Sequence, residues 1–191
     1  MIRVAIVDDH PAVRLGLHAA IRSEPGLVPA GEATNGAGVP PMLYRTQPDV
    51  VLLDFNLPDT DGLTLCRQIK SEPLAPAVIL YSAFADAAMT VPAFVAGADG
   101  ILHKGGPARE LYEAIRRVAR GGDVMPPVAP PQFEAAGHAL DPEDLPILGM
   151  LLDRTPAADI ADTLRIEQAE LRNRIERMLS CLKVPLPSGA R

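Results

Sequence analysis

Apolar residues over the first 122 positions fall into short continuous runs separated by amphipathic stretches. The runs are Ile2 to Val7, Leu27 to Ala33, Val50 to Asp54, Val78 to Ser82 and Gly100 to His103. Most are apolar throughout rather than alternating, which is the pattern of strands buried on both faces of a parallel sheet. Between them the period changes. Pro11 opens a segment with Val13, Leu17 and Ile21 at spacing four, a helix with proline in its first turn. Leu111, Ile115 and Val118 form a second stripe that Gly121-Gly122 stops. Five strands alternating with helices predict a doubly wound α/β domain over residues 1–122.

The pattern then breaks. "DVMPPVAPPQFEAAGHA", residues 123–139, has four prolines and almost no charge, which predicts an extended, semi-rigid linker. Residues 140–191 are patterned as helices. "DPED" at 141–144 offers an N-cap, a proline at the first helical position and acids in the first turn. "TPAADIADTL" at 155–164 repeats the device with Thr155 and Pro156. A third helix, Gln168 to Leu182, carries Leu171, Ile175, Met178, Leu179 and Leu182 on one face. Three short helices with tight connections predict a helix-turn-helix unit.

Composition narrows the function. Of 191 residues, 48% are hydrophobic and 22% charged, enough to bury a core and too apolar for a disordered chain. No secretory signal and no membrane-spanning run is visible. Cys66 and Cys181 lack metal-ligand spacing, so the expected setting is a reducing cytosol with two unpaired thiols. A formal charge of −6, no Trp and few aromatics argue against a base-stacking single-strand binder. Duplex binding then requires positive charge gathered locally.

The strand ends carry the chemistry. Asp8 and Asp9 follow the first strand, Asp54 ends the third, Ser82 the fourth and Lys104 follows the fifth. In a doubly wound sheet these ends meet where strand order reverses. Three carboxylates in one crevice raise one another's pKa unless a cation is present, and a hard divalent ion such as Mg²⁺ removes the conflict. Asp54 becomes a candidate nucleophile, since a carboxylate accepts a phosphoryl group as an acyl phosphate. The metal and Lys104 would neutralise the phosphoryl oxygens, and Ser82 offers a hydroxyl donor. Singly, each residue has a plainer reading: Asp9 as a helix N-cap, Lys104 as a solvated lysine, Ser82 as a turn residue.

Together, "IVDDHPAVRLGL", "DVVLLDFNLPDTDGL", "VILYSAF" and "AGADGILHKGG" resemble the receiver domain of bacterial two-component response regulators of the NarL/FixJ type. The resemblance implies a flavodoxin-like five-stranded sheet phosphorylated on Asp54 by a sensor histidine kinase. It also implies Mg²⁺ held by Asp9, Asp54 and the backbone carbonyl of Asn56, with Asp8 acting through water. Ser82 and Lys104 would contact the phosphoryl group. Three features depart from the pattern. Ile101 replaces the aromatic that such receivers often place three residues before Lys104, Pro92 lies inside the expected fourth helix, and "GVPPML" sits near the second. A proline inside a helix should kink or shorten it.

Residues 140–191 resemble the LuxR-type helix-turn-helix of the same regulators. Residues 156–163 would support a recognition helix at 168–182 in the major groove of double-stranded DNA. Candidate contacts are Arg172, Asn173, Arg174, Arg177 and Lys183. Glu167 and Glu170 stand where hydroxyl residues are usual, and nine acids against seven bases leave the region at net −2. "KVPLPSGAR" cannot form the family's fourth helix, which helps pair output domains. A homodimer would have to form through the receiver or the apolar face of residues 171–182.

The leading expectation is therefore a cytoplasmic, non-enzymatic transcription regulator controlled by phosphorylation. Two alternatives stay open. The helical end could serve as a protein-interaction module, or "LLDFNLP" could belong to an aspartyl-phosphate phosphatase. Against the latter, Asn56 occupies the place of the second Asp such enzymes use, and no substrate-capping domain is evident.

Overall fold

The computed structural model describes residues 1–83 and 87–182. They form two compact units, one from residues up to 83 with 97–126, the other from 87–96 with 127–182. Each is described by itself.

The first unit is a parallel five-stranded sheet. Its strands are β1 (Ile2–Val7), β2 (Leu27–Ala33), β3 (Val50–Leu53), β4 (Ala77–Ser82) and β5 (Gly100–His103), in the order β2-β1-β3-β4-β5. Every pairing is parallel. Val4 to Val7 and Val50 to Leu53 are buried without interruption, because helices cover both faces. On one face, Val4, Ile6, Val50, Leu52 and Ile79 pack with Leu17 and Ile21 of α1 (Pro11–Ser23) and with Leu111, Ala114, Ile115 and Val118 of α5 (Ala108–Val118). The alternate residues, Ala5, Val7, Val51, Leu53, Val78 and Leu80, are buried on the opposite face. There α2 (Val39–Thr46) lies against β2 and α3 (Gly62–Lys70) against β4.

Local chemistry sets the helix bounds. Pro11 sits in the first turn of α1, where no backbone donor is needed. Pro40 and Pro41 likewise occupy the first turn of α2, so "GVPPML" delimits the helix rather than kinking it. Asp61 caps α3, accepting from Thr64 N at 2.8 Å. Gly121, at φ +81°, turns the chain beyond α5 in a conformation that favours glycine. Asp54 lies one residue past β3 rather than within it.

The expected extended linker does not hold over its second half. Residues 130–139 are a helix, α6 (Pro130–Ala139). Pro130 and Pro131 fall at its first two positions, and the Gln132 side chain accepts from Ala129 N at 2.6 Å, so the prolines start a helix instead of preventing one. The first half stays with the sheet: Val124 forms a parallel bridge to Gly100, and its N–H donates to Asp99 O at 2.8 Å.

The second unit contains α4 (Thr90–Ala96), α6, α7 (Leu145–Leu152), α8 (Ala157–Leu164) and α9 (Gln168–Cys181). Three residues join α8 to α9, giving the helix-turn-helix pair. A short 3₁₀ turn over Pro142–Asp144 precedes α7, where the sequence suggested the helix itself. Pro156 rather than Thr155 takes the N-cap position of α8, which starts at Ala157, and the Thr155 N–H donates to Met150 O at 2.9 Å just beyond α7. Leu182 ends α9 as its C-cap.

Six of the seven residues of α4 are buried. The helix packs on α7 and α9, and the Arg154 guanidinium lies 4.6 Å from the centroid of the Phe94 ring. Pro92 is its third residue, so the missing N–H falls in the first turn and the helix is short rather than kinked. The expected absence of a further helix concerns residues 183–191, which lie outside the described residues. Within the unit, α4 supplies cover for α7 and α9. A fragment spanning 127–191 without α4 should melt non-cooperatively and bind ANS, whereas the whole chain should not; calorimetry and dye fluorescence check this.

Candidate functional site

The order β2-β1-β3 places the reversal between β1 and β3, and Val7 pairs with Leu53 in register there. The next residues of both strands therefore emerge together. Asp54 N–H donates to Val7 O at 2.8 Å, and Asp8 N–H to Ala33 O at 3.2 Å. Ser82 pairs with His103 at the ends of β4 and β5, and Lys104 N–H donates to Ser82 O at 2.9 Å. Sheet register alone thus gathers Asp8, Asp9, Asp54, Ser82 and Lys104 at one end.

Side-chain contacts tighten the group. Lys104 Nζ lies 2.7 Å from Asp8 Oδ2 and 3.0 Å from Asp54 Oδ1. Asp8 is 1% exposed and Asp54 5%. One ammonium therefore serves two buried carboxylates. Burial pushes Asp54 above its ordinary value, the hydrogen bond and charge of Lys104 pull it back, Asp8 pushes it up again, and the Asn56 backbone N–H lowers it; the net direction is up. Burial pulls Lys104 down, but its bonds to Asp8 and Asp54 outweigh that and hold it above the usual lysine value. The pocket is one positive charge short.

Asp9 is more open, its side chain 38% exposed, and Oδ1 lies 2.6 Å from His10 Nδ1. Donor atoms of Asp8, Asp9, His10 and Asp54 all fall within 4.8 Å of one another. Asn56 adds a backbone N–H to the Asp54 carboxylate, and its buried Oδ1 has no hydrogen-bond partner among the described residues. Carboxylate oxygens, a charge deficit and an orphaned buried oxygen are the donor chemistry of a hard divalent cation. His10 escaped the sequence reading, although its adjacency in "DDH" was visible. Arg14 escaped it too, and its Nη1 donates to Asp8 O at 2.9 Å. His10, not Asp9, is the N-cap residue of α1, and it makes no side-chain cap bond.

Residues 4–116, more than half of the chain, match the response regulator receiver domain. The chain belongs to this family. The response regulator is 30% identical to the transcriptional regulatory protein LiaR of Bacillus subtilis (strain 168) over 96% of its own length and 92% of that protein's. It is 32% identical to the DNA-binding transcriptional activator DevR/DosR of Mycobacterium tuberculosis (strain ATCC 25618 / H37Rv), over 95% and 88%. Among solved structures, a LuxR-family two-component response regulator from Aurantimonas sp. SI85-9A1 superposes with a TM-score of 0.62 at 31% identity, covering 70% of this chain and 96% of the other. The fold is the receiver's five-stranded sheet followed by a helical C-terminal region, and the relatives are named as transcriptional regulators.

The five sequence-nominated residues of the helical end do not form one set. Arg172, Asn173 and Arg177 are exposed on α9. Arg174 is instead drawn inward, with Nε 2.6 Å from Asp144 Oδ1 and Nη2 donating to Glu143 O. Its side chain is 13% exposed and that of Asp144 5%. Lys183 lies outside the described residues. Glu167 takes the N-cap position of α9 without a side-chain cap bond.

Two predictions follow from these charges. Because Asp54 is raised in the folded chain, the folded state binds more protons there than the unfolded state between pH 3.8 and the raised value. The ionised carboxylate therefore disfavours folding at neutral pH, and the cost fades as pH falls. Asp54→Asn should raise Tm by roughly 2–4 °C at pH 7.5, with the gain shrinking toward pH 4, in paired thermal melts. Asp144→Ala should cost about 3–5 kcal/mol in denaturant unfolding, because it strands the Arg174 guanidinium.

Proposed function

We propose that this response regulator accepts a phosphoryl group on Asp54 from a sensor histidine kinase and controls transcription through its helix-turn-helix unit. The observation that carries the reading is the single ammonium shared by two buried carboxylates at the sheet's switch point. An Asp54 carboxylate oxygen attacks phosphorus, the bond to the donor's nitrogen or oxygen breaks, and the leaving group keeps its electron pair. The product is an acyl phosphate. Lys104 remains an ammonium throughout, donating to a phosphoryl oxygen, and the Ser82 hydroxyl donates to another. The carboxylates of Asp9 and Asp54, the backbone carbonyl of Asn56 and, through water, Asp8 would hold Mg²⁺, which when bound neutralises charge on the phosphoryl oxygens.

In this reading residues 1–122 form the receiving part and residues 140–191 the output part, with α4 packed among the helices of the second unit. Arg172, Asn173 and Arg177 are its base and phosphate contacts, and Arg174 holds α9 to the 3₁₀ turn before α7. DevR/DosR, matched over nearly the whole chain, is named as DNA-binding, which supports the assignment.

Labelling by acetyl phosphate with Mg²⁺ should vanish in Asp54→Asn and on EDTA addition; undiminished labelling of Asp54→Asn sinks the site. Arg172→Ala and Arg177→Ala should each weaken binding to the target duplex by roughly tenfold and lower the salt dependence by about one phosphate contact, measured by fluorescence anisotropy.

A further inference from the structure

The loop that follows the phosphoacceptor is fastened to a neighbouring loop through one carboxylate. Asp59 Oδ1 accepts from Gly36 N at 2.7 Å and Oδ2 from Ala37 N at 2.9 Å. Two parallel bonds from adjacent amides fix both the position and the rotation of a carboxylate, which a single bond cannot do. These bonds hold Asp59 below the ordinary aspartate value, so the acceptor is fully ionised at neutral pH.

The contact is specified from both sides. A Cβ on Gly36 would stand 2.5 Å from Thr60 Cγ2 and 3.3 Å from Asp59 Oδ1, so a side chain at residue 36 forces the Thr60 side chain to move and crowds the Asp59 carboxylate. Asn35 braces the same turn, its Oδ1 accepting from Gly38 N at 2.8 Å.

On the other side of Asp59, the loop is closed on itself. Asn56 and Asp61 form an antiparallel bridge, Leu57 N–H donates to Thr60 O at 3.3 Å, and Gly62 N–H donates to Phe55 O at 2.7 Å. A Cβ on Gly62 would stand 2.5 Å from Asp54 O, so the loop returns directly against the phosphoacceptor's own backbone. A loop closed this way moves as a piece, and its tip at residues 58–60 is held where Asp59 is held.

We infer that Asp59 is a positioning residue for the phosphorylation pocket, its bidentate grip on residues 36–37 setting where the backbone of Asn56 stands relative to Asp54. The inference rests on the phosphoacceptor reading given above. It concerns a residue that touches neither phosphoryl group nor cation. Asp59 acts on the cation through Asn56, as an outer-shell partner acts through a ligand.

The test compares full-length wild type, Asp59→Ala, Asp59→Asn, Gly36→Ala and the Gly36→Ala/Asp59→Ala double variant. Mg²⁺ affinity is read by calorimetry, and Asp54 labelling by acetyl phosphate is read across a Mg²⁺ titration. Asp59→Ala should weaken Mg²⁺ binding roughly tenfold. The half-saturating Mg²⁺ for labelling should rise by a similar factor, while the rate at saturating Mg²⁺ changes less than about twofold and the melting temperature stays near wild type. Asp59→Asn, which keeps one good acceptor, should recover part of the loss. Gly36→Ala should mimic Asp59→Ala, and the double variant should be no worse than either alone. Unchanged Mg²⁺ affinity in Asp59→Ala overturns the inference, as does a loss that tracks falling melting temperature alone. A wild-type chain that binds Mg²⁺ but keeps its label after Asp54→Asn overturns the phosphoacceptor reading instead, and the calorimetric comparison still decides the role of Asp59.

Discussion

One lysine between two buried carboxylates is the constraint around which the receiver is arranged. Lys104 bonds to both Asp8 and Asp54, and neither acid has much access to water. An unpaired buried charge costs several kcal/mol, so losing the lysine, which would strand both acids, is expensive. Yet the group is left one positive charge short, which shows in Asp54 lying above its ordinary value even beside an ammonium. A pocket with that deficit attracts a cation and responds to any change of charge on Asp54. Adding a phosphoryl group changes both the charge and the number of acceptors Lys104 must serve.

What could respond lies nearby. Tyr81 OH donates to Lys104 O at 3.2 Å, tying the backbone of the lysine to β4 one residue before Ser82. Ile101, buried in β5, cannot act as an aromatic rotor, so the aromatic contact to this segment comes from β4 instead. On the other side, α4 sits between β4 and β5 in sequence but belongs to the helical unit, packed on α7 and α9.

Most of the sheet and pocket could be read from the sequence because both rest on local patterns. Continuous apolar runs predict the five strands, and the polar residues at their ends are Asp8, Asp54, Ser82 and Lys104, which the sheet register brings to one end. The failures share a different cause. Four prolines at 126–131 suggested an extended linker, but Pro130 and Pro131 occupy helix positions whose amides have no partner anyway, so α6 forms. Arg174 was indistinguishable from Arg172 and Arg177 by type, and only three-dimensional pairing with Asp144 turns it inward. Its spacing held the clue: Leu171, Ile175 and Met178 are buried, and residue 174 borders that stripe. His10 and Asp59 were missed because one-residue side-chain contacts leave no periodic trace.

The loss of Arg174 from the exposed set changes the electrostatics of α9. Among the described residues its exposed face offers Arg172 and Arg177 beside Glu170 and Glu176. Charges of both signs at that spacing nearly cancel beyond a Debye length of about 8 Å. A helix of this kind gains little from the phosphate backbone, since each neutralised phosphate contributes about one unit of salt dependence.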